Sequence, residues 1–486
     1  MVRRNPGRLF MSIDAWFRHP RVRRGLAVSM VVLSTGGLVL ARAPAGATPR
    51  VGPDTHVTLA GGSNASTFHG PGVSGRIALS HTKVLARSNQ RIFAEIDLKA
   101  DAAGKRVERA PLSMAIVLDT SGSMGGEKID QAKQSAIQMI REMRDDDEIA
   151  FVRYASETEM VQPLAKVGLV RESLIARINA IAASGGTNIP PALTQGLAAL
   201  NIAGAGRVKR VVLASDGIDS SRAAAEQIAR DAAERGVTIS SMGIGLDFNE
   251  AYMGGVAVAG HGNFAFVNDA SALATFLKRE LHETATTMAQ NVTARVELPA
   301  GMRFVQAIGA TGRMEGRELV IAAGSLFAGD ERRIIVELDT DMPLGETRTL
   351  EGAVAWTATF GDATSARFAG LALRGSDDAL AVDEGRDGAV LANATSVLAS
   401  ARQIEAAEAY ARGDTARAQA LVDRNMHELQ AAATAAPAAA PALAAQARAY
   451  DESKRVFAEK PSPRAAAHAK SSAEKDFSNL GRNAAY

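Results

Sequence analysis

Met114-Ala115-Ile116-Val117-Leu118-Asp119-Thr120-Ser121-Gly122-Ser123 is the stretch that decides the fold of this chain. An apolar run ends in a loop of small polar residues, and the loop opens onto Gly125-Gly126-Glu127-Lys128-Ile129-Asp130. From Lys128 to Met143, apolar residues recur at helical spacing: Ile129, Ala132, Ala136, Ile137, Ile140 and Met143. The order is therefore strand, tight loop, helix. The loop carries one carboxylate and two hydroxyls at alternating positions, Asp119, Ser121 and Ser123, so all three can face one point. Hard oxygen donors of this kind suit Mg²⁺, which takes near-octahedral oxygen coordination and keeps several waters.

The pattern continues outward from there. Glu148 to Tyr154, Val211 to Ala214, Thr238 to Ile244 and Asn263 to Val267 read as strands. Helical patterns at Glu172 to Ala183, Pro190 to Asn201, Ala223 to Arg235 and Ser271 to Met288 lie among them. Strands alternating with helices predict a mostly parallel sheet covered on both faces, with ligands at the carboxyl ends of the strands. Asp119 and Asp216 both fall at such ends.

Asp-x-Ser-x-Ser after a buried strand, then Gly185-Gly186-Thr187-Asn188, then Val211-Val212-Leu213-Ala214-Ser215-Asp216-Gly217, resembles the von Willebrand factor type A (VWA) domain. More specifically, the chain looks like bacterial VWA proteins of the calcium-activated-chloride-channel-like and inter-α-trypsin-inhibitor-heavy-chain-like groups. The resemblance implies a Rossmann-like fold and a metal-ion-dependent adhesion site (MIDAS) made by Asp119, Ser121, Ser123, Thr187 and Asp216. It further implies that the three hydroxyls bind Mg²⁺ directly, or Mn²⁺ or Ca²⁺, while the two Asp residues act through water. The remaining coordination position would take an Asp or Glu from a protein partner. One departure is Ala214-Ser215, where the family more often has a bulkier residue and Thr before the second Asp.

Arg18, Arg21, Arg23 and Arg24 precede an apolar run from Gly25 to Ala41, followed by Ala45-Gly46-Ala47. This is the build of a secretory signal peptide over 1–47, cleaved after Ala47; the alternative is an uncleaved N-terminal membrane anchor. The expectation is export to the periplasm or cell exterior, with anchoring to the membrane by the N-terminal segment as the alternative. A flexible lead-in (48–66) comes next, and Arg76 to Ser80 and Arg91 to Leu98 alternate as half-buried strands within 67–110. The VWA domain is expected over 111–290. Short alternating strands separated by Gly turns predict a β-sandwich over 291–382. The two earlier strands would join that sandwich, so that the α/β domain is inserted in it or followed by it. A helical hairpin is expected over 383–433, with Gly413-Asp414 at its turn. The Ala- and Pro-rich segment 434–486 is expected as a linker, a short helix and a flexible tail.

Composition narrows the functions. A net charge of +2 gives no electrostatic case for nucleic acid or an anionic membrane surface. The chain has no cysteine, which excludes disulfides, thiolate metal sites and a Cys nucleophile. Its eight histidines, among them His56, His261 and His427, show no His-Glu-x-x-His spacing. His261, in Gly260-His261-Gly262, reads as a loop residue, and Asp145-Asp146-Asp147 as a solvated turn. Gly122-Ser123-Met124-Gly125 does not fit a nucleophile elbow. The expectation is an exported, non-enzymatic, Mg²⁺-dependent protein-binding protein. Two alternatives stand beside it. One is an envelope or assembly scaffold acting through the sandwich and C-terminal helices; the other is a metal-assisted hydrolase using Asp119 or Asp216 as base.

Overall fold

The computed structural model describes residues 50–51, 58–59, 64–102, 109–204, 206–216, 220–267, 269–359, 361–459 and 462–481. The proposed signal peptide and most of the lead-in lie outside them. Among the described residues, six strands precede the Asp119 loop: β1 (Arg50–Val51), β2 (Thr58–Leu59), β3 (Ala65–Gly70), β4 (Val73–Leu79), β5 (Lys83–Leu85) and β6 (Asn89–Ala100).

The central domain runs β7 (Leu112–Asp119), α1 (Glu127–Glu142), β8 (Glu148–Tyr154), β9 (Thr158–Lys166), α2 (Val167–Asn179) and α3 (Ile189–Leu200). It continues with β10 (Val208–Ser215), α4 (Arg222–Glu234), β11 (Val237–Ile244), α5 (Glu250–Ala259), β12 (His261–Val267) and α6 (Ala270–Ala285). Its sheet has the order β12-β11-β10-β7-β8-β9, parallel except for the edge strand β9. Every residue of β7 is buried. Leu112, Met114, Ile116 and Leu118 pack under α1, α2 and α6. Ala115 and Val117 pack under α3, α4 and α5 on the opposite face. A strand buried on both sides is an uninterrupted apolar run, which is why this one could be read directly from the sequence.

After α6 the chain forms β13 (Thr287–Glu297), β14 (Met302–Ile308), β15 (Thr311–Glu315), β16 (Glu318–Phe327), β17 (Glu331–Asp341), β18 (Thr347–Ala358) and β19 (Ala363–Ser376). Two sheets result, β1-β19-β18-β13-β16-β15 with β5 on β19, and β14-β17-β6-β4-β3-β2. β6 pairs antiparallel with β17 along its length, from Lys99↔Glu331 to Asn89↔Asp341. Strands from before and after the α/β domain thus complete one sandwich, with Phe68, Ile92, Ile96, Trp356 and Phe368 in its core.

The C-terminal part consists of α7 (Ala379–Glu384), α8 (Gly388–Ala411), α9 (Thr415–Ala435), α10 (Ala440–Ala458) and α11 (Pro463–Gly481). This corrects the expectation of a linker, a short helix and a loose tail over 434–486. Alanine is the strongest helix former, and Pro441 stands in the first turn of α10, where a missing N–H costs nothing. α11 returns to the α/β domain. The buried Lys470 donates to the Phe248 carbonyl (2.6 Å) and to Glu250 Oε2 (2.9 Å), and its ammonium lies 4.2 Å from the Phe248 ring centroid. Phe477 meets Phe264 edge-on at 5.3 Å.

Three smaller expectations also change. α5 was not foreseen, because it is apolar on nearly all sides and contains Gly254-Gly255. Asp147 is buried; it accepts from the Leu112 and Arg144 amides and pairs with Arg109, so that residue clamps the start of β7. His261 is buried at the start of β12, and burial lowers its pKa to about 4. No helix among the described residues is long and apolar enough to cross a membrane.

Where β6 meets α8, Glu95 is buried, accepts from Asn393 (2.8 Å) and pairs with Arg333 (2.9 Å). Burial, with Asp97 adding to it, raises the Glu95 pKa to about 7, against the pull of Arg333 and Asn393. The unfolded chain releases this proton near the ordinary value of 4.5, before the folded one does. Stability should therefore fall as pH rises from about 4.5 to about 7 and level off above. Glu95→Gln should remove that slope, so that its stability relative to the wild type rises with pH across this window. Urea unfolding at pH 4.5, 6 and 8 checks this.

Candidate metal centre

β7 and β10 are neighbours in register, Leu118 opposite Ala214, so Asp119 comes level with Ser215 and Asp216 just beyond. From β7 the chain crosses one way to β8 and later returns on the other side to β10. The loops after these two strands therefore meet at the switch point of the sheet, where open α/β sheets bind ligands.

The Asp119 carboxylate is fully buried. One oxygen accepts the Ser121 amide (2.8 Å) and the other the Ser215 hydroxyl (2.6 Å). The Ser121 and Ser123 hydroxyl oxygens are 3.0 Å apart, and Ser123 donates to Asp216 Oδ1 (2.8 Å). Asp216 Oδ2 accepts from the Lys128 ammonium (2.6 Å), which also donates to Asp247 Oδ2 (2.9 Å). Burial raises the Asp119 pKa and the Asp216 charge adds to it, opposed by the donors Ser215 and Ser121. Burial pulls the Lys128 pKa down, but its bonds to Asp216 and Asp247 outweigh this and raise it.

The Thr187 loop is tied to the same place through the backbone. Gly122 N donates to Gly185 O (2.8 Å), Ser184 N to Thr120 O (2.7 Å), and Gly186 N to Ser156 Oγ (2.8 Å). Gly185 has φ +81°, and a Cβ there would meet Ser156 Oγ at 3.2 Å. Thr187 is half-buried; no hydrogen bond among the described residues joins it to the other four positions. Of the five residues singled out from the sequence, Asp119, Ser121, Ser123 and Asp216 form one hydrogen-bonded chain, and Thr187 lies on the adjoining loop.

The donors suit a hard cation. Two buried carboxylates face each other's loops, and among the described residues Lys128 is the single cation paired with either. The negative charge left over, with two hydroxyl oxygens beside it, is what a divalent ion would balance. Among the described residues no cluster of three Asp, Glu or His side chains could hold a metal, so any such site depends on the hydroxyls. Ser215, Lys128 and Asp247 were not assigned to the site from the sequence. Lys128 carried the one usable signal: a positive charge in the first turn of a helix opposes the helix dipole and needs another reason to be there.

A doubly covered α/β sheet with a hydroxyl-and-carboxylate loop at its switch point is the architecture of a ligand-binding domain. Residues 113–279 match the von Willebrand factor type A domain, so the chain contains a VWA domain. It is 29% identical over 276 residues to the uncharacterized protein YfbK of Escherichia coli (strain K12), covering 52% of this chain and 45% of that protein. It is 24% identical over 275 residues to the uncharacterized protein sll0103 of Synechocystis sp., covering 53% of this chain and 63% of that one. The match thus spans about half to two thirds of these relatives. Among solved structures, a von Willebrand factor type A protein from Catenulispora acidiphila superposes with TM-score 0.64 at 17% identity, over 88% of this chain and 99% of that one. The ArnB paralog VWA2 from Sulfolobus acidocaldarius gives 0.56 at 14%, over 85% and 100%. At such identities the likeness is one of fold.

Ser215→Ala should leave the buried Asp119 carboxylate one donor short and cost about 1.5–3 kcal/mol, the usual worth of a hydrogen bond to a charged group. Ser215→Thr, which keeps the donor, should lose less. Urea midpoints of the three proteins, measured without added metal, check this.

Proposed function

We propose that this is an exported, Mg²⁺-dependent protein-binding protein whose VWA metal site captures an acidic side chain of a partner. The reading is carried by the chain Asp119–Ser121–Ser123–Asp216, which concentrates buried negative charge and hydroxyl oxygens at the switch point. Ser121, Ser123 and Thr187 would hold the ion through their hydroxyls, with Asp119 and Asp216 orienting those hydroxyls and balancing charge. When bound, the ion supplies an electrophilic position for a carboxylate. Neutral hydroxyl ligands leave most of its charge available to an incoming Asp or Glu. Ser123 is exposed and Thr187 half-buried, so the site is open to solvent on the side where a partner would arrive.

The role is binding without catalysis, and the location is the periplasm or cell exterior, on the strength of the arginine-led apolar run before Ala47. Mn²⁺ and Ca²⁺ are the other candidate ions, and the same titration ranks them.

Millimolar Mg²⁺ should raise the melting temperature of the full-length wild type and leave Asp119→Ala and Ser121→Ala unmoved. At a hundredfold excess over Kd the gain is about 2.7 kcal/mol. A wild type that does not respond to any of the three ions overturns the reading. Peptides bearing Asp or Glu should bind only with the ion present, and their Asn or Gln counterparts not at all. If this protein instead worked as a scaffold through its sandwich and C-terminal helices, its assembly would survive Ser121→Ala and EDTA.

A further inference from the structure

Lys128 stands at the second position of α1, near the positive end of the helix dipole, where an ammonium is electrostatically misplaced. Its surroundings supply the missing reason. The ammonium bridges Asp216, which is fully buried, and Asp247, whose side chain is 71% exposed. Room for the stem comes from Gly245, with φ +77°: a Cβ there would lie 2.9 Å from Lys128 Cε. Gly245 and Asp247 belong to the loop after β11, the next strand of the sheet beyond β10. Three separate segments thus converge to hold one positive charge against Asp216.

We propose that Lys128 is a resident counter-ion of the metal site, holding Asp216 in charge balance in the metal-free protein and setting the threshold a metal ion must exceed to enter. This rests on the metal-binding reading given above. An ion at the hydroxyls of Ser121 and Ser123 comes beside Asp216, one of whose oxygens is already taken by the ammonium. Two cations then share one carboxylate and repel each other. The ammonium has a second acidic partner on its solvent side, so it can lean toward Asp247 without becoming unpaired.

Two consequences follow for selectivity. A monovalent ion brings no more charge than Lys128 already supplies, so Na⁺ and K⁺ have no electrostatic advantage at this site. A divalent ion does, at the cost of the repulsion, and that cost is offset when a carboxylate arrives with it. Metal and acidic partner should therefore bind cooperatively, because the partner's negative charge relieves the crowding of two cations.

The test is calorimetric titration of Mg²⁺ into metal-stripped, full-length wild type, Lys128→Gln and Lys128→Met, with each protein's thermal melt as the check on folding. Both variants should bind Mg²⁺ at least about tenfold more tightly than wild type. Repulsion between a divalent ion and an ammonium a few ångströms apart costs that much even in the dielectric of water. Lys128→Met keeps the packing of the stem, so a gain seen in both variants comes from the charge. If wild type binds and the folded variants bind equally or more weakly, the role of Lys128 is overturned and the metal site stands. If none of the folded proteins binds Mg²⁺, the metal site and the role of Lys128 fall together.

Discussion

A carboxylate buried at the end of the central strand is the constraint from which the rest of this site follows. Asp119 lies out of water with no cation paired with it among the described residues, so its charge must be met by donors supplied at close range. One donor is local, the Ser121 amide, and depends only on the tight loop after β7. The other, the Ser215 hydroxyl, comes from β10 and exists only because the two parallel strands pair in one particular register. A slip of one residue would turn Ser215 to the other face of the sheet and leave the carboxylate stranded.

The surrounding architecture holds that register in place. The strands before and after the α/β domain pair with each other through β6 and β17, so the domain is fastened to the sandwich by both of its ends. At its far edge, Phe248, Tyr252 and Phe264 share a core with Val390 and Val397 of α8 and with Ala473 and Phe477 of α11. Lys470 reaches from α11 to the Phe248 carbonyl, one residue beyond Asp247. The last helix is thus packed against the segment that supplies the solvent-side partner of Lys128.

Some parts were legible in the sequence for physical reasons. β7 is buried on both faces and reads as an unbroken apolar run. α1 has one buried face and shows a clear helical period. Other parts were not. α5 is enclosed on nearly every side by β11, β12, α4 and α11, so its residues carry no periodic contrast, and its glycine pair argues against a helix. The α10 region read as part of an Ala- and Pro-containing linker, and the α11 region as a polar, flexible tail. Their helicity is stabilised by tertiary contacts such as Tyr410 stacked on Phe457 at 4.7 Å and the buried Tyr450 hydroxyl on Asp476 (2.6 Å).

The sequence by itself determined the kind of chemistry at the site and its order along the chain. Asp119, Ser121 and Ser123 lie within one strand-to-helix loop, whose shape is set by neighbouring residues. The tertiary structure alone decided which distant groups complete that loop. Ser215 reaches Asp119 across 96 residues, Lys128 reaches Asp216 across 88 and Asp247 across 119, and Lys470 reaches Phe248 across 222. Contacts of that span depend on which strands become neighbours and in what register, and no local pattern of residues records that choice.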